Sequence, residues 1–297
     1  MTKDRKPRTE AAFFPCRRRR FRPPPACLCA LLFFACGLCG CVPLDEASLP
    51  KTSVSRAVEA PYTGLDPGYK TTESLHFIVK AYSSETVARY SALCEEDYQR
   101  IMRDLGIYSF VPSKPYNIVI YKDAPEFRRK TSQPDWSGGV TYGNAILIYE
   151  SAGAAGILAH EMSHLIFNEY MGLSVPEDVR WLNEGVAVYE QMRADYNSRA
   201  FYEGKIAGDI ALNPIPFSQL MNLVPQGQGD AAVERWYAEA AAVTAFMLRQ
   251  GGSLSFSYFL RAIKEGRGLD EAVGASFSGL WKDMKDVERT WLLEAKR

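Results

Sequence analysis

Two of the three histidines in this 297-residue chain, His160 and His164, stand four residues apart with Glu161 beside the first. Four residues is just over one helical turn, so both imidazoles leave the same face of a helix and can share one ion. Glu161 lies about 100° round that helix, too far to occupy the same ligand position but close enough to reach a metal-bound water. The HExxH spacing suits zinc, which binds neutral imidazole nitrogen at about 2.0–2.1 Å and in catalytic sites keeps one position for water. Such an ion lowers the water's pKa to about 7, and a neighbouring carboxylate can take its proton during attack on a carbonyl. The competing readings are a pair of core histidines bonded to backbone, and a metal held without catalysis.

The element that must carry these groups runs from Ser151 to Met171, with Ser151 as its N-cap and Gly172 at its C-terminal end. Ile157, Leu158, Met162, Leu165, Ile166 and Phe167 make it apolar nearly all round, so the helix is buried. Two imidazoles and a carboxylate inside it are costly unless something satisfies them. A third protein ligand is needed, and Trp181–Tyr189 begins a second helix that carries Glu184, twenty residues after His164.

With His160-Glu161-xx-His164 followed by Asn183-Glu184-Gly185, the chain resembles the gluzincin metallopeptidases and small bacterial peptidase MA-like domains. The likeness is good over Gly138 to Tyr189 and looser beyond. It implies that His160, His164 and Glu184 bind Zn2+, that Glu161 is the general base, and that the reaction is peptide-bond hydrolysis. The chain departs from the thermolysin-like pattern at Val188, where an Asp would orient a zinc-bound His; that support must come from elsewhere. Gluzincins often use a later Tyr or His opposite the metal, and no His follows His164. Tyr237, near the start of a long helical stretch, is then the candidate proton donor or oxyanion residue, or else an aromatic packed on the core. Tyr142, Tyr149 and Tyr189 are its rivals.

Around the site, Leu75–Tyr82 and Tyr116–Tyr121 read as strands, and Glu85–Leu105 as a helix stopped by Gly106. Gly138–Tyr149 reads as a hairpin about Gly143-Asn144, and either of its strands could form an edge that pairs with substrate backbone. From Ser151 onward the pattern is almost wholly helical. The expected class is α+β, with a zincin-like fold implied by the resemblance: a small mixed sheet, the active-site helix, then a mostly helical half. His76 reads as structural, Arg128-Arg129-Lys130 as a solvated face, and Trp281 and Trp291 as parts of a terminal amphipathic helix.

Lys+Arg and Asp+Glu balance at 35 each, yet residues 1–40 hold nine basic and two acidic residues. The remainder carries 26 basic against 33 acidic residues, a net −7 that gives no general reason to bind nucleic acid. The basic stretch ends at Arg22 and precedes an apolar run from Ala26 to Leu38, the pattern of an export signal. Leu38-Cys39-Gly40-Cys41 resembles the bacterial lipobox, with Cys41 as the lipidated mature N-terminus and Cys36 as the alternative. The expected organisation is a lipoprotein signal peptide over 1–40, a flexible tether over 41–72 and a peptidase domain over 73–297, with a sheet-containing part to 172 and a helical part after it. The expected setting is the cell envelope, lipid-anchored to a membrane, with a peptide or protein as substrate. Val42 after Cys41 favours the outer membrane or surface over the inner. The alternative is a non-catalytic zinc-containing envelope lipoprotein that binds peptides or supports assembly. Cys94, alone beyond position 41, has no intramolecular partner if Cys41 is acylated, and reads as a buried apolar side chain.

Overall fold

A computed structural model describes residues 62–135, 137–172, 176–222 and 229–295; the expected signal segment, Cys41 and most of the expected tether lie outside the described residues. Strands β1 (Lys70–Glu73), β2 (Phe77–Ala81), β3 (Tyr116–Tyr121), β4 (Gly139–Tyr142) and β5 (Ala145–Tyr149) form one mixed sheet in the order β1-β2-β3-β5-β4. The central three run parallel, and β1 and β4 are antiparallel edges. A mostly helical half follows, so the α+β class expected from the sequence is the one observed.

Period-two alternation divides the strands between two apolar layers. Val79, Ile118, Ile120, Ile146 and Ile148 face one, shared with α1 (Ser84–Leu105) and α3 (Ala154–Met171). Val119, Tyr121 and Leu147 face the other, which Phe127 of α2 (Ala124–Thr131) covers. Helix α1 makes the crossover that two parallel neighbours, β2 and β3, require. The Ser83 hydroxyl accepts the Thr86 N–H at its start, and Gly106 ends it at φ 68°. A side chain at Gly106 would also strike the Ser253 carbonyl oxygen, at 2.3 Å.

The folded part begins earlier than residue 73. Strand β1 pairs with β2, Tyr62 and Leu65 pack on the second layer, and the Thr63 N–H donates to the Lys130 carbonyl. That segment is Pro- and Gly-rich and has no periodicity of its own; its order comes from tertiary contacts. Lys130 differs from expectation for the same reason. It is buried, with its ammonium 2.7 Å from Asp66 Oδ1 and 2.8 Å from the Gly64 carbonyl oxygen, whereas a solvated face was expected.

A 3-10 turn (Glu177–Val179) leads into α4 (Arg180–Ala194), followed by α5 (Tyr196–Lys205) and a π-helical turn (Ile206–Ile210). The rest comprises α6 (Phe217–Leu220), α7 (Asp230–Lys264), α8 (Leu269–Ser276) and α9 (Met284–Ala295), and α7 bends at Gly252. Helix α4 packs on both α3 and α7. Its approach to α7 is close because of Gly185, where a Cβ would lie 2.4 Å from Thr244 Oγ1 and 2.5 Å from the Ala240 carbonyl oxygen. Trp281 precedes α9 instead of lying within it, and both Trp281 and Trp291 pack on Phe246. Among the described residues no helix is long and apolar enough to cross a membrane.

Candidate metal centre

His160 and His164 project from the middle of α3, both buried, with their Nε2 atoms 3.1 Å apart. Glu184 reaches them from α4. Its Oε2 lies 3.4 Å from His164 Nε2 and 3.9 Å from His160 Nε2. The three side chains offer ligand atoms that all fall within 4.8 Å of one another. The structure therefore brings together the triad that the resemblance implied.

A divalent cation suits this cluster chemically. Glu184 Oε2 is buried and accepts no conventional hydrogen bond. Each imidazole is engaged at Nδ1 by a side-chain amide oxygen, so each Nδ1 donates and each Nε2 is left directed into the cluster. Two ring nitrogens and a carboxylate oxygen meet at one buried point, where a divalent cation would take the place of the proton that Glu184 favours on His164. Two imidazoles and one carboxylate with nothing softer are a zinc-type donor set.

The amide partners come from the second helix of the site. His164 Nδ1 donates to Asn183 Oδ1 at 2.9 Å, and Asn183 Nδ2 donates to Asn168 Oδ1 at 3.1 Å. His160 Nδ1 donates to Gln191 Oε1 at 3.1 Å. Val188, at the position of the missing Asp, is buried in the apolar core. One helix thus supplies Glu184 and both orienting amides.

The Glu161 carboxylate is buried on the sheet side of α3. Its Oε2 accepts the Thr141 hydroxyl at 2.8 Å, and the same hydroxyl lies 3.2 Å from the Glu161 carbonyl oxygen. Thr141 belongs to β4, the edge strand, whose neighbour Gly139 makes room for the helix. A Cβ at Gly139 would meet Ile157 Cγ2 at 2.7 Å and Glu161 Cγ at 3.3 Å.

Charge is distributed unevenly over the cluster. Burial favours the neutral imidazole at both histidines. At His164 the Glu184 carboxylate outweighs burial and raises the pKa to about 9, while at His160 burial and the charge of His164 lower it. Burial works against the charged form of Glu184 as well, but His164, His160 and Arg180 hold its pKa below the ordinary carboxylate value.

Tyr237 is buried in α7, edge-to-face with Trp236 at 5.2 Å. It lies two turns before Thr244, which meets Gly185, so it belongs to the face of α7 turned toward α4. Tyr142 and Tyr149 are on the opposite side of the sheet from α3, in the layer under α2. Tyr189 pairs with Arg193 on the same helix. His76 bonds Glu95 at 2.7 Å and stacks on Tyr98, a structural role as expected, and Cys94 is buried. Cys41 lies outside the described residues.

Neither Thr141 nor Gln191 belongs to the HExxH or Asn-Glu-Gly pattern of the sequence. Gln191 lies seven residues after Glu184, two turns on the same face, so its placement was readable there. Thr141 was not, because only the packing of β4 on α3 brings it to Glu161. A sequence model described as the Peptidase MA superfamily matches residues 96–294, a span that includes α3, α4 and α7. No curated protein matches the chain.

Proposed function

The chain belongs to the Peptidase MA superfamily, and from that premise we propose that it is a zinc-dependent peptidase of gluzincin type. The observation that supports this most is the convergence of His160, His164 and Glu184 on one buried point, with Glu161 beside them. Zinc bound there supplies Lewis acidity to the scissile carbonyl and lowers the pKa of a water to about 7.

The chain's own residues divide the remaining work. Glu161 accepts a proton at its carboxylate and returns it to the leaving amine, while the Thr141 hydroxyl holds that carboxylate in place. Asn183 keeps the His164 imidazole in the tautomer that leaves Nε2 for the ion. Strand β4 is last in the sheet order, and among the described residues its outer edge pairs with no strand. It offers a place for a substrate backbone to add as a further strand. Tyr237 donates to the developing oxyanion from the α4-facing side of α7. The setting is the cell envelope, with Cys41 lipidated and the protein held at the outer membrane or surface.

Glu161→Gln tests the assignment directly. It keeps the zinc ligands and removes the base, so zinc stays bound while cleavage of a fluorescent peptide library falls by about 10²–10⁴. Unchanged cleavage in that variant contradicts the peptidase mechanism. A zinc-loaded parent that cuts nothing in the library points instead to the peptide-binding lipoprotein.

A further inference from the structure

We infer that Gln191 is the positioning residue for His160, taking the place of the missing Asp, and that the junction of α3, α4 and α5 at Gly156 and Ser198 sets its amide. The inference rests on the zinc reading above but concerns a part of the chain that this reading does not require.

Four observations converge on the amide. First, Gln191 Oε1 accepts from His160 Nδ1 at 3.1 Å, which fixes the tautomer with Nε2 bare. Second, its Nε2 donates to Ser198 Oγ at 3.2 Å, so both ends of the amide are engaged. Third, Ser198 is itself placed by the cap of α5, where its backbone N–H donates to Asp195 Oδ2 at 2.7 Å. Fourth, Gly156 lies one turn before His160 on α3, and a Cβ there would meet Asp195 Cβ at 2.8 Å and both Gln191 Cγ and Ser198 Oγ at 3.3 Å. The absent side chain at Gly156 is what lets the start of α5 and the amide of α4 close on the imidazole helix.

The arrangement has a chemical consequence. A carboxylate at the position of Val188 would add a negative charge behind the imidazole and raise its basicity. A primary amide orients the ring without that charge, and its own orientation must be set by a second partner. That partner is Ser198, which ties His160 to the α4–α5 corner and makes the geometry of one ligand depend on an element outside the metal-binding pair.

The test uses the full-length chain and zinc itself. Zinc affinity is measured by competition with a chromophoric chelator, and the His160 tautomer by ring ¹⁵N shifts in the zinc-free protein. Gln191→Met keeps the length of the side chain and removes the acceptor; the expected result is a 10–100-fold weaker zinc affinity and loss of the pure Nδ1–H tautomer. Gln191→Glu restores an acceptor and is expected to bind zinc within a few-fold of the parent, with the Nδ1–H tautomer retained. Ser198→Ala leaves Gln191 in place without its second partner and is expected to weaken zinc by about two- to fivefold, less than the loss of the acceptor.

Equal affinity in Gln191→Met and the parent overturns the proposal. So does an equal loss in the Met and Glu variants, because packing at position 191 would then account for it. If the parent binds no zinc at all, the metal reading fails, yet the ¹⁵N shifts still decide whether Gln191 sets the tautomer. A parent with Nε2–H at His160 overturns that.

Discussion

Helix α4 carries two buried glutamates six residues apart, and they are opposites. Glu184 faces two imidazoles, and its pKa is held below the ordinary value. Glu190 faces Arg100 of α1, whose Nε donates to its Oε2 at 2.9 Å, and burial pushes its pKa up to about 7. The same Arg100 pairs with Asp97, whose pKa burial raises to about 6. Two carboxylates on one guanidinium make a cluster that resists a second negative charge. Burial of ionisable groups is therefore no mark of function by itself. The mark at Glu184 is the kind of neighbour, two imidazole nitrogens that converge with it on one point, where Glu190 meets a guanidinium that cannot ligate a metal.

The largest effect that would separate the two clusters comes from Arg100→Met. It leaves Asp97 and Glu190 buried without the guanidinium they share and is expected to cost about 3–5 kcal/mol, read as a lower denaturant midpoint. Glu184→Gln should act mainly through the metal: zinc affinity falls by more than about 100-fold, while the zinc-free chain loses less stability than Arg100→Met costs. If Glu184→Gln instead unfolds the chain, the carboxylate is an ordinary structural ion-pair partner and the contrast collapses.

A smaller effect sharpens the contrast by pH. Glu190 is faced by Arg100 and Arg193 and by Asp97 and Asp104. Its folded pKa of about 7 exceeds the unfolded value of 4.5, so the folded chain holds the proton longer. The resulting stability is present below the unfolded pKa and is lost as pH rises through about 7. Glu190→Gln removes the titration, and its Tm relative to the parent should rise between pH 4.5 and 8 by several degrees. A difference that is flat with pH would show that Glu190 ionises normally in the fold.

Much of the site was legible in the residues because its information is local. His160, Glu161 and His164 need only helical spacing, and Gly143 and Gly106 mark ends that the chain must turn at positive φ. Glu184 sits in a short pattern whose Gly185 is explained by close packing on α7. The parts that escaped are tertiary. Ser151 does not cap α3; the Ala154 N–H donates to the Ser151 carbonyl in a preceding turn, and the helix starts three residues later. Lys130 looks like a surface cation until residues 62–66 fold over it. Thr141 becomes a partner of Glu161 only when β4 docks on α3.

Zinc-edge anomalous diffraction from crystals of the chain grown with one equivalent of zinc tests the central claim most directly. The account predicts a single strong peak bounded by His160 Nε2, His164 Nε2 and the Glu184 carboxylate, at about 2.0–2.2 Å from each. A peak elsewhere, or one at the two imidazoles with the Glu184 carboxylate turned away, would contradict it.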